Sequence, residues 1–229
     1  MNIAIIPARG GSKRIPRKNI KLFAGKPIIA YSILAAKYSG LFERIIVSTD
    51  DKEIASIAKE WGAEVPFMRP AELSGDYTGT MEVIQHSINQ LESTGNQMEY
   101  VCCIYATAPF VTASALCNAY NQLQTTQSDY VFTVTTFPFP VQRALFINEA
   151  NRLDCLYPEF RYTRSQDLTE AYHDAGQFYF GKTSAFKAAI PLFSPASSPL
   201  ILPREIVQDI DTPEDWRRAE LLYKLWSMN

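Results

Sequence analysis

The chain has 229 residues, of which 47% are hydrophobic and 20% are charged, so we expect one large α/β domain and exclude a disordered protein. Its formal net charge of −2 is unevenly distributed, because the first 42 residues carry +8 and the remainder carries −10. With only two histidines, a three-histidine zinc site is excluded, and a metal would be held by carboxylates, which favours Mg²⁺ or Mn²⁺.

The sequence also bears on where the protein works. The four cysteines have no CxxC spacing, which predicts free thiols in a reducing compartment. The apolar run Ile3–Ile6 precedes its charges and is shorter than the core of a signal peptide, and no stretch approaches the ~20 apolar residues of a membrane span. We therefore expect a cytoplasmic protein that does not bind membranes.

Short β-rich runs alternate with amphipathic segments of helix length, which is typical of βαβ units on a mostly parallel sheet. In chain order, strands are predicted over 3–6, 44–48, 65–68, 100–105, 130–135, 177–180 and 200–202, and helices over 28–38, 51–61, 80–92 and 112–123. Thr212, Pro213 and two following acids predict the start of a last helix. Between about 137 and 172 prolines interrupt the pattern, and a hairpin turn near 149–151 predicts an excursion from the sheet.

A basic loop follows the first strand, with six positive charges in the thirteen residues from Arg9 to Lys21 and no acid. In open α/β sheets ligands bind beyond the carboxyl ends of strands. Gly10 and Gly11 allow the backbone to approach a ligand closely. Backbone amides, together with the side chains of Arg and Lys, are suited to bind a polyphosphate. The loop is neither a Walker loop nor GxGxxG. We interpret it as a polyphosphate site, with a solvated basic loop as the alternative.

Two carboxylates near the last helix form a candidate metal site. Asp209 and Asp211 are two residues apart, so in an extended segment both point to the same face and can share a divalent cation. Asp211 also precedes Thr212, so a role in helix capping is the alternative. Magnesium commonly binds through one or two carboxylates plus substrate phosphates, so the basic loop strengthens the metal interpretation.

Four motifs together resemble the acylneuraminate cytidylyltransferase family, which includes the CMP-sialic acid synthetases. They are ARGGSKRIPRKN after the first strand, STD at 48–50, RPAELSGD at 69–76 and QDIDTPED at 208–215, and they follow the family's order over nearly the whole chain. The stretches YATAPF at 105–110 and QDLTEAYHDAGQFYFG at 166–181 resemble the bacterial pseudaminic acid cytidylyltransferases most closely.

This resemblance implies a Rossmann-like nucleotidyltransferase fold of three layers, built as a single domain over 1–229. It also implies a homodimer whose contacts come from the insertion at about 137–172. The implied reaction transfers CMP from CTP to the anomeric hydroxyl of a nonulosonic acid, most closely pseudaminic acid, and releases diphosphate. Its product would serve glycosylation of the bacterial surface or flagellum.

The motifs and the chemistry of the loop give a set of candidate site residues. Those expected to bind the nucleotide are Arg9, Gly10, Gly11, Ser12, Lys13, Lys18, Asn19 and Thr80. Catalytic roles are expected for Arg9, Lys13 and Asp211, and the metal is assigned to Asp209 and Asp211. Sugar contacts are expected from Thr107, Arg164, Gln166, His173 and Gln177. Arg164 is a candidate for binding the sugar carboxylate, with a surface ion pair as its alternative, and His173 and Gln177 have a packing role as theirs.

Two stretches depart from the sialic acid synthetases. Residues 105–111 lack a Gln and an Arg of the family pattern, and residues 173–179 replace an Arg-Pro-Asn-Gly stretch, so a sugar other than N-acetylneuraminate is favoured. Synthetases for N-acetylneuraminate, legionaminate or 3-deoxy-manno-octulosonate are alternatives with the same chemistry. A nucleic-acid-binding module is the alternative of another class; it is disfavoured because the basic residues are confined to one loop without interleaved aromatics.

Overall fold

The structure, a computed structural model, describes residues 1–228. Its strands are β1 (Asn2–Pro7), β2 (Leu22–Phe23), β3 (Lys26–Pro27), β4 (Arg44–Ser48), β5 (Tyr100–Ile104), β6 (Tyr130–Thr136), β7 (Leu145–Ile147), β8 (Leu153–Cys155), β9 (Tyr172–Lys182) and β10 (Ser197–Ile201). Its α-helices are α1 (Ile28–Ser39), α2 (Lys52–Glu60), α3 (Thr80–Glu92), α4 (Ala113–Thr125), α5 (Thr183–Lys187) and α6 (Pro213–Trp226).

The central sheet has six strands in the order β10-β6-β9-β5-β1-β4. Strand β9 is antiparallel to both of its neighbours, and the remaining pairs are parallel. The prediction of a mostly parallel α/β sheet is therefore confirmed. Because β9 runs against the other strands, its first residues lie at the edge where the parallel strands end.

Alternating side chains of β1 show how the sheet separates two helical layers. Ala4 and Ile6 pack with α1, α2 and α4, whereas Ile3 and Ile5 pack on the opposite face with α3 and α5. All four side chains are fully buried. A strand buried on both faces needs this continuous apolar run, which is the signal that predicted β1.

Polar residues fix the starts of three helices. Asp51 accepts from the amides of Glu53 and Ile54 at the start of α2, and Thr112 accepts from an amide at the start of α4. At α6, Thr212 and Asp215 form a reciprocal capping box. The Asp209–Asp211 segment therefore lies directly before the capped start of α6.

Most predicted elements are confirmed to within a few residues, but the strand over 65–68 is wrong. The only bridge here is isolated and joins Ile46 to Glu64, the residue before that segment, since Pro66 removes an amide donor from any further ladder. The strand predicted over 177–180 extends over all of β9, because it pairs with β5 on one side and β6 on the other. The short β2–β3 hairpin was not predicted.

Residues 137–171 leave the sheet between β6 and β9 and contain the separate hairpin β7–β8, with Asn151 at positive φ in its turn. This confirms the predicted excursion and turn. The side chains of Leu145, Ile147 and Leu153 are 58%, 67% and 71% exposed. Among residues 1–228, no helix has the length and apolar character needed to cross a membrane.

Candidate active site

The basic loop lines a cavity of about 270 Å³ at the carboxyl edge of the sheet. From the loop the cavity is lined by Arg9, Ser12, Lys13, Arg14, Lys18 and Asn19, and from other segments by Arg69, Thr78, Thr80, Tyr105, Thr107 and Asp211, among others. We call this the basic cavity. It brings most of the expected nucleotide-binding residues together with Thr107 and Asp211.

The loop is anchored to the turn between β4 and α2. The amide of Gly10 donates to Asp50 Oδ1 at 2.9 Å, and a Cβ added to Gly10 would lie 2.8 Å from Asp51 Oδ2. Arg17 pairs with Asp51, and this contact lowers the pKa of Asp51 to about 2. The close approach at Gly10 is therefore to this turn, whereas Gly11 has open space around it.

Four cations of the basic cavity face carboxylates of the same chain. Arg9 lies 3.1 Å from Asp76, and Lys13 pairs with the same carboxylate, which lowers the pKa of Asp76. The other two, Arg14 and Lys18, pair with Asp211 at 2.9 and 3.3 Å. Phosphate groups that enter this cavity would therefore replace carboxylates at cations already gathered in one place.

Two further contacts position the basic loop and the Asp209–Asp211 segment. Asn19 is buried and donates to the carbonyl oxygen of Arg9 at 2.9 Å. Lys18 donates to the carbonyl oxygen of Ile210 at 2.6 Å, so it ties the loop to the Asp209–Asp211 segment. These contacts connect the backbone of the basic loop to the backbone of the Asp209–Asp211 segment.

Asp209 and Asp211 face different cavities. Asp211 lines the basic cavity, and Asp209 lines a neighbouring cavity of about 640 Å³, which we call the second cavity. Although Asp209 is open to solvent on one side, surrounding protein desolvates its carboxylate and raises its pKa, and the charge of Asp211 adds to the shift. A cation next to both carboxylates would relieve this repulsion.

The donor set fits a magnesium-type ion rather than a fully enclosed protein site. Within residues 1–228 no three His, Cys, Asp or Glu side chains are grouped to hold a metal. The two aspartates would therefore contribute part of the coordination, and water or phosphate oxygens the rest, as is usual for Mg²⁺.

Arg69 belongs to the site although sequence analysis gave it no role. Its side chain lines the basic cavity, and the residue is only 6% exposed. It donates to the carbonyl oxygen of Ser48 at 2.5 Å, its Nε has no partner within the described residues, and burial lowers its pKa. The Nε–H group is therefore a buried donor that no acceptor among these residues satisfies. The available signal was its place at the start of the RPAELSGD motif.

A chain of hydroxyl groups links the two cavities. Thr80 Oγ1 lies 3.5 Å from the hydroxyl of Tyr105, which lies 3.3 Å from the hydroxyl of Tyr179. Tyr179 donates to Asp174, which lines the second cavity. Burial raises the pKa of Tyr179 well above its ordinary value, so its proton stays in place and Tyr179 can only accept from Tyr105. We call this the hydroxyl chain.

The expected sugar-binding residues are dispersed. His173 lines the second cavity, where it also packs against Phe137. Gln177 is only 3% exposed, donates to the carbonyl oxygen of Ile206 and lines neither cavity. Arg164 and Gln166 lie exposed on the insertion, where Arg164 makes the surface ion pair considered as its alternative, with Asp167 at 2.6 Å.

Comparisons with known proteins add to this geometry. The model of the cytidylyltransferase family matches residues 3–193. A pseudaminic acid cytidylyltransferase of Campylobacter jejuni is 48% identical over 98% of this chain and 97% of its own length, and a CMP-N,N'-diacetyllegionaminic acid synthase of Legionella pneumophila is 31% identical over 97% and 96%. A CMP:2-keto-3-deoxy-manno-octonic acid synthetase complexed with CTP has the same fold, with a TM-score of 0.70 at 14% identity over 98% and 99%.

Proposed function

The chain belongs to the cytidylyltransferase family, and we propose that it transfers CMP from CTP to the anomeric hydroxyl of pseudaminic acid and releases diphosphate. The observation that carries this proposal is the 48% identity, over nearly the full length of both chains, with a pseudaminic acid cytidylyltransferase. The identity with the legionaminic acid enzyme is lower, at 31%.

In the proposed reaction the anomeric oxygen attacks the α-phosphorus of CTP. The bond between the α-phosphorus and the oxygen that leads to the β-phosphorus breaks, diphosphate leaves with the bonding electron pair, and the proton of the hydroxyl passes to water. Arg9 and Lys13 would release Asp76 and bind phosphate oxygens, where their charges stabilise the negative charge of the transition state. Catalysis of this kind depends mainly on positioning and on fixed cations, so no His or Cys nucleophile is required.

We assign Mg²⁺, with Mn²⁺ as the alternative ion, to Asp209 and Asp211, on the basis of their mutual repulsion and their position between the two cavities. When bound, such an ion supplies positive charge at the α-phosphate and lowers the pKa of a nearby hydroxyl. Lys18 holds the intervening Ile210 carbonyl and thereby keeps the two carboxylates oriented.

We further propose a homodimer whose subunits meet at the β7–β8 hairpin. An isolated two-stranded hairpin is marginally stable in water, and exposed apolar side chains such as Leu145, Ile147 and Leu153 are typical of an interface. Light scattering should then give twice the chain mass of 25.8 kDa. A monomer at all concentrations would contradict the dimer.

The chain's free cysteines and the paired state of its basic loop support two narrower proposals. Cys102 and Cys103 are buried free thiols, and Cys117 and Cys155 are also unpaired, which supports a reducing compartment such as the cytoplasm.

Because four cations of the basic cavity face acids of the same chain, the loop offers little open positive surface to nucleic acid. We therefore propose small-molecule substrates only.

The decisive experiment is a panel of nonulosonic acids assayed with CTP, with diphosphate release as the readout. We expect pseudaminic acid to give the highest kcat/KM, ahead of legionaminic acid, N-acetylneuraminic acid and 3-deoxy-manno-octulosonate. Parallel reactions with UTP and with EDTA test the nucleotide and the metal. Preference for another acid would overturn the assignment of pseudaminic acid as the substrate, and full turnover in EDTA would overturn the assignment of a metal ion.

A further inference from the structure

The second cavity contains two arginines to which neither the sequence motifs nor the proposed mechanism gives a role. Arg204 lies in the turn after β10, and Arg218 lies in the second turn of α6. Both line the cavity, together with His173, Asp174 and Asp209. Two separate elements thus each contribute an arginine to the lining of the same cavity, which is also lined by a carboxylate assigned to the metal.

Neither guanidinium is neutralised by a neighbour. Within residues 1–228, Arg204 and Arg218 make no ion pair within 4.0 Å and no side-chain hydrogen bond. Arg218 lies near Asp215, but that carboxylate is occupied by the α6 capping box. Both arginines therefore retain all of their donors for a ligand.

Acidic residues also line the second cavity, but they do not outweigh the two arginines as a binding site for an anion. Asp174 accepts from Tyr179 and from the amide of Gly176 at 2.9 Å, so its oxygens are engaged. Asp209 is assigned to the metal, and the positive charge of a divalent cation would exceed the negative charge of this carboxylate. Glu205 is the third acid of this cavity, and it is exposed, as are Arg204 and Arg218.

We propose that Arg204 and Arg218 bind the carboxylate of the sugar acid in the second cavity, an inference that rests on the proposed function. In a nonulosonic acid the carboxylate is attached to the anomeric carbon, which also bears the reacting hydroxyl. Asp209 lines this cavity and Asp211 lines the basic cavity, so a carboxylate held here leaves the hydroxyl close to the segment that separates sugar from nucleotide. Guanidinium groups suit this role because they bind carboxylates with two parallel hydrogen bonds.

The test replaces each arginine by glutamine, alone and together, and measures steady-state kinetics with both substrates varied. Each of Arg204→Gln and Arg218→Gln should raise the KM for the sugar acid about 10-fold and leave the KM for CTP within about twofold, because one charged hydrogen-bond donor is lost. Arg217→Gln is the matched control, since this exposed neighbour on α6 lines neither cavity and should change neither constant. Arg204→Lys should restore part of the loss.

A second measurement identifies the group that the arginines recognise. Wild-type protein should be inhibited more strongly by an unreactive sugar acid analogue than by its methyl ester, and the Arg204→Gln/Arg218→Gln double variant should lose this preference. Glu205→Gln should strengthen inhibition by the acid and leave the ester unchanged. An unchanged preference for the acid in the double variant would overturn the inference.

The two proposals fail in distinguishable ways. Normal diphosphate release with an unchanged KM for the sugar in both single variants would overturn the role of the arginines and leave the proposed function intact. Absence of turnover with every sugar acid in the wild type would overturn the proposed function. In that case, calorimetric titration with pseudaminic acid tests the role of the arginines. Binding to the wild type that the double variant loses would support this role, and absence of binding to the wild type would overturn it.

Discussion

The two cavities beside the Asp209–Asp211 segment hold their cations in different states. In the basic cavity, Arg9 and Arg14 each face a carboxylate of the same chain, whereas Arg204 and Arg218 in the second cavity face none within 4.0 Å among residues 1–228. A cation that is paired with a carboxylate is already held in place, but a ligand must displace that carboxylate to bind the cation. An unpaired cation gains its full interaction from the ligand, and its side chain must be ordered by it.

The largest expected effect comes from Asp211, which pairs with two cations of the basic cavity and is assigned to the metal. Asp211→Asn should lower kcat/KM about 100-fold or more, because a charged metal ligand and the partner of Arg14 and Lys18 are lost together. Diphosphate release measures the activity, and circular dichroism verifies folding. Asp129→Asn is the control, since Asp129 pairs with Lys182 at the opposite edge of the sheet. Full turnover of a folded Asp211→Asn protein would remove the metal assignment.

A smaller effect is expected from the paired state of the basic cavity. Lys13→Gln should lower kcat/KM for CTP about 10-fold, because a charged contact to phosphate is lost, and should leave the KM for the sugar unchanged. Asp76→Asn should act in the opposite direction and lower the KM for CTP, since it removes the carboxylate that phosphate must displace. Initial rates over a range of CTP concentrations measure both. A higher KM for CTP in Asp76→Asn would show that this carboxylate assists binding instead of competing with it.

The smallest effect is expected where the two cavities are connected. Tyr179→Phe removes the donor to Asp174 and the acceptor for Tyr105, so both KM values should rise about threefold, less than for a lost charged contact to substrate, because this hydroxyl acts only through those two side chains. Tyr120→Phe is a matched control, because the hydroxyl of Tyr120 accepts from Gln124 on α4, away from both cavities. A change in only one KM would indicate that the hydroxyl chain serves one cavity alone.

The basic cavity could be anticipated from sequence because most of its residues are contiguous. Arg9 to Asn19 form one loop at the end of one strand, so the charge run and the strand end are visible together. The signal for the start of α6 at Thr212 was equally local. The failed strand over 65–68 contains Pro66, whose missing amide outweighed the apolar pattern.

The second cavity and the hydroxyl chain could not be anticipated because they depend on strand register. Tyr179 comes beside Cys103 only through the antiparallel pairing of β9 with β5, and His173 comes beside Thr135 through its pairing with β6. Arg204 and Arg218 belong to a turn and a helix whose sequences contain no charge run pointing to a shared site. Gln177, expected at the sugar, lies where the pleat of β9 turns it towards Ile206.

The reversed direction of β9 also gives the insertion a mechanical connection to the site. The chain leaves the β7–β8 region, enters β9 at Tyr172 and reaches the wall of the second cavity at the very next residue, His173. The start of β9, Tyr172–Asp174, is held by pairing with β6, and its last part, Phe178–Lys182, pairs with β5. If the insertion forms the proposed dimer contact, a displacement of the insertion would be transmitted through the backbone of β9 to the wall of the second cavity.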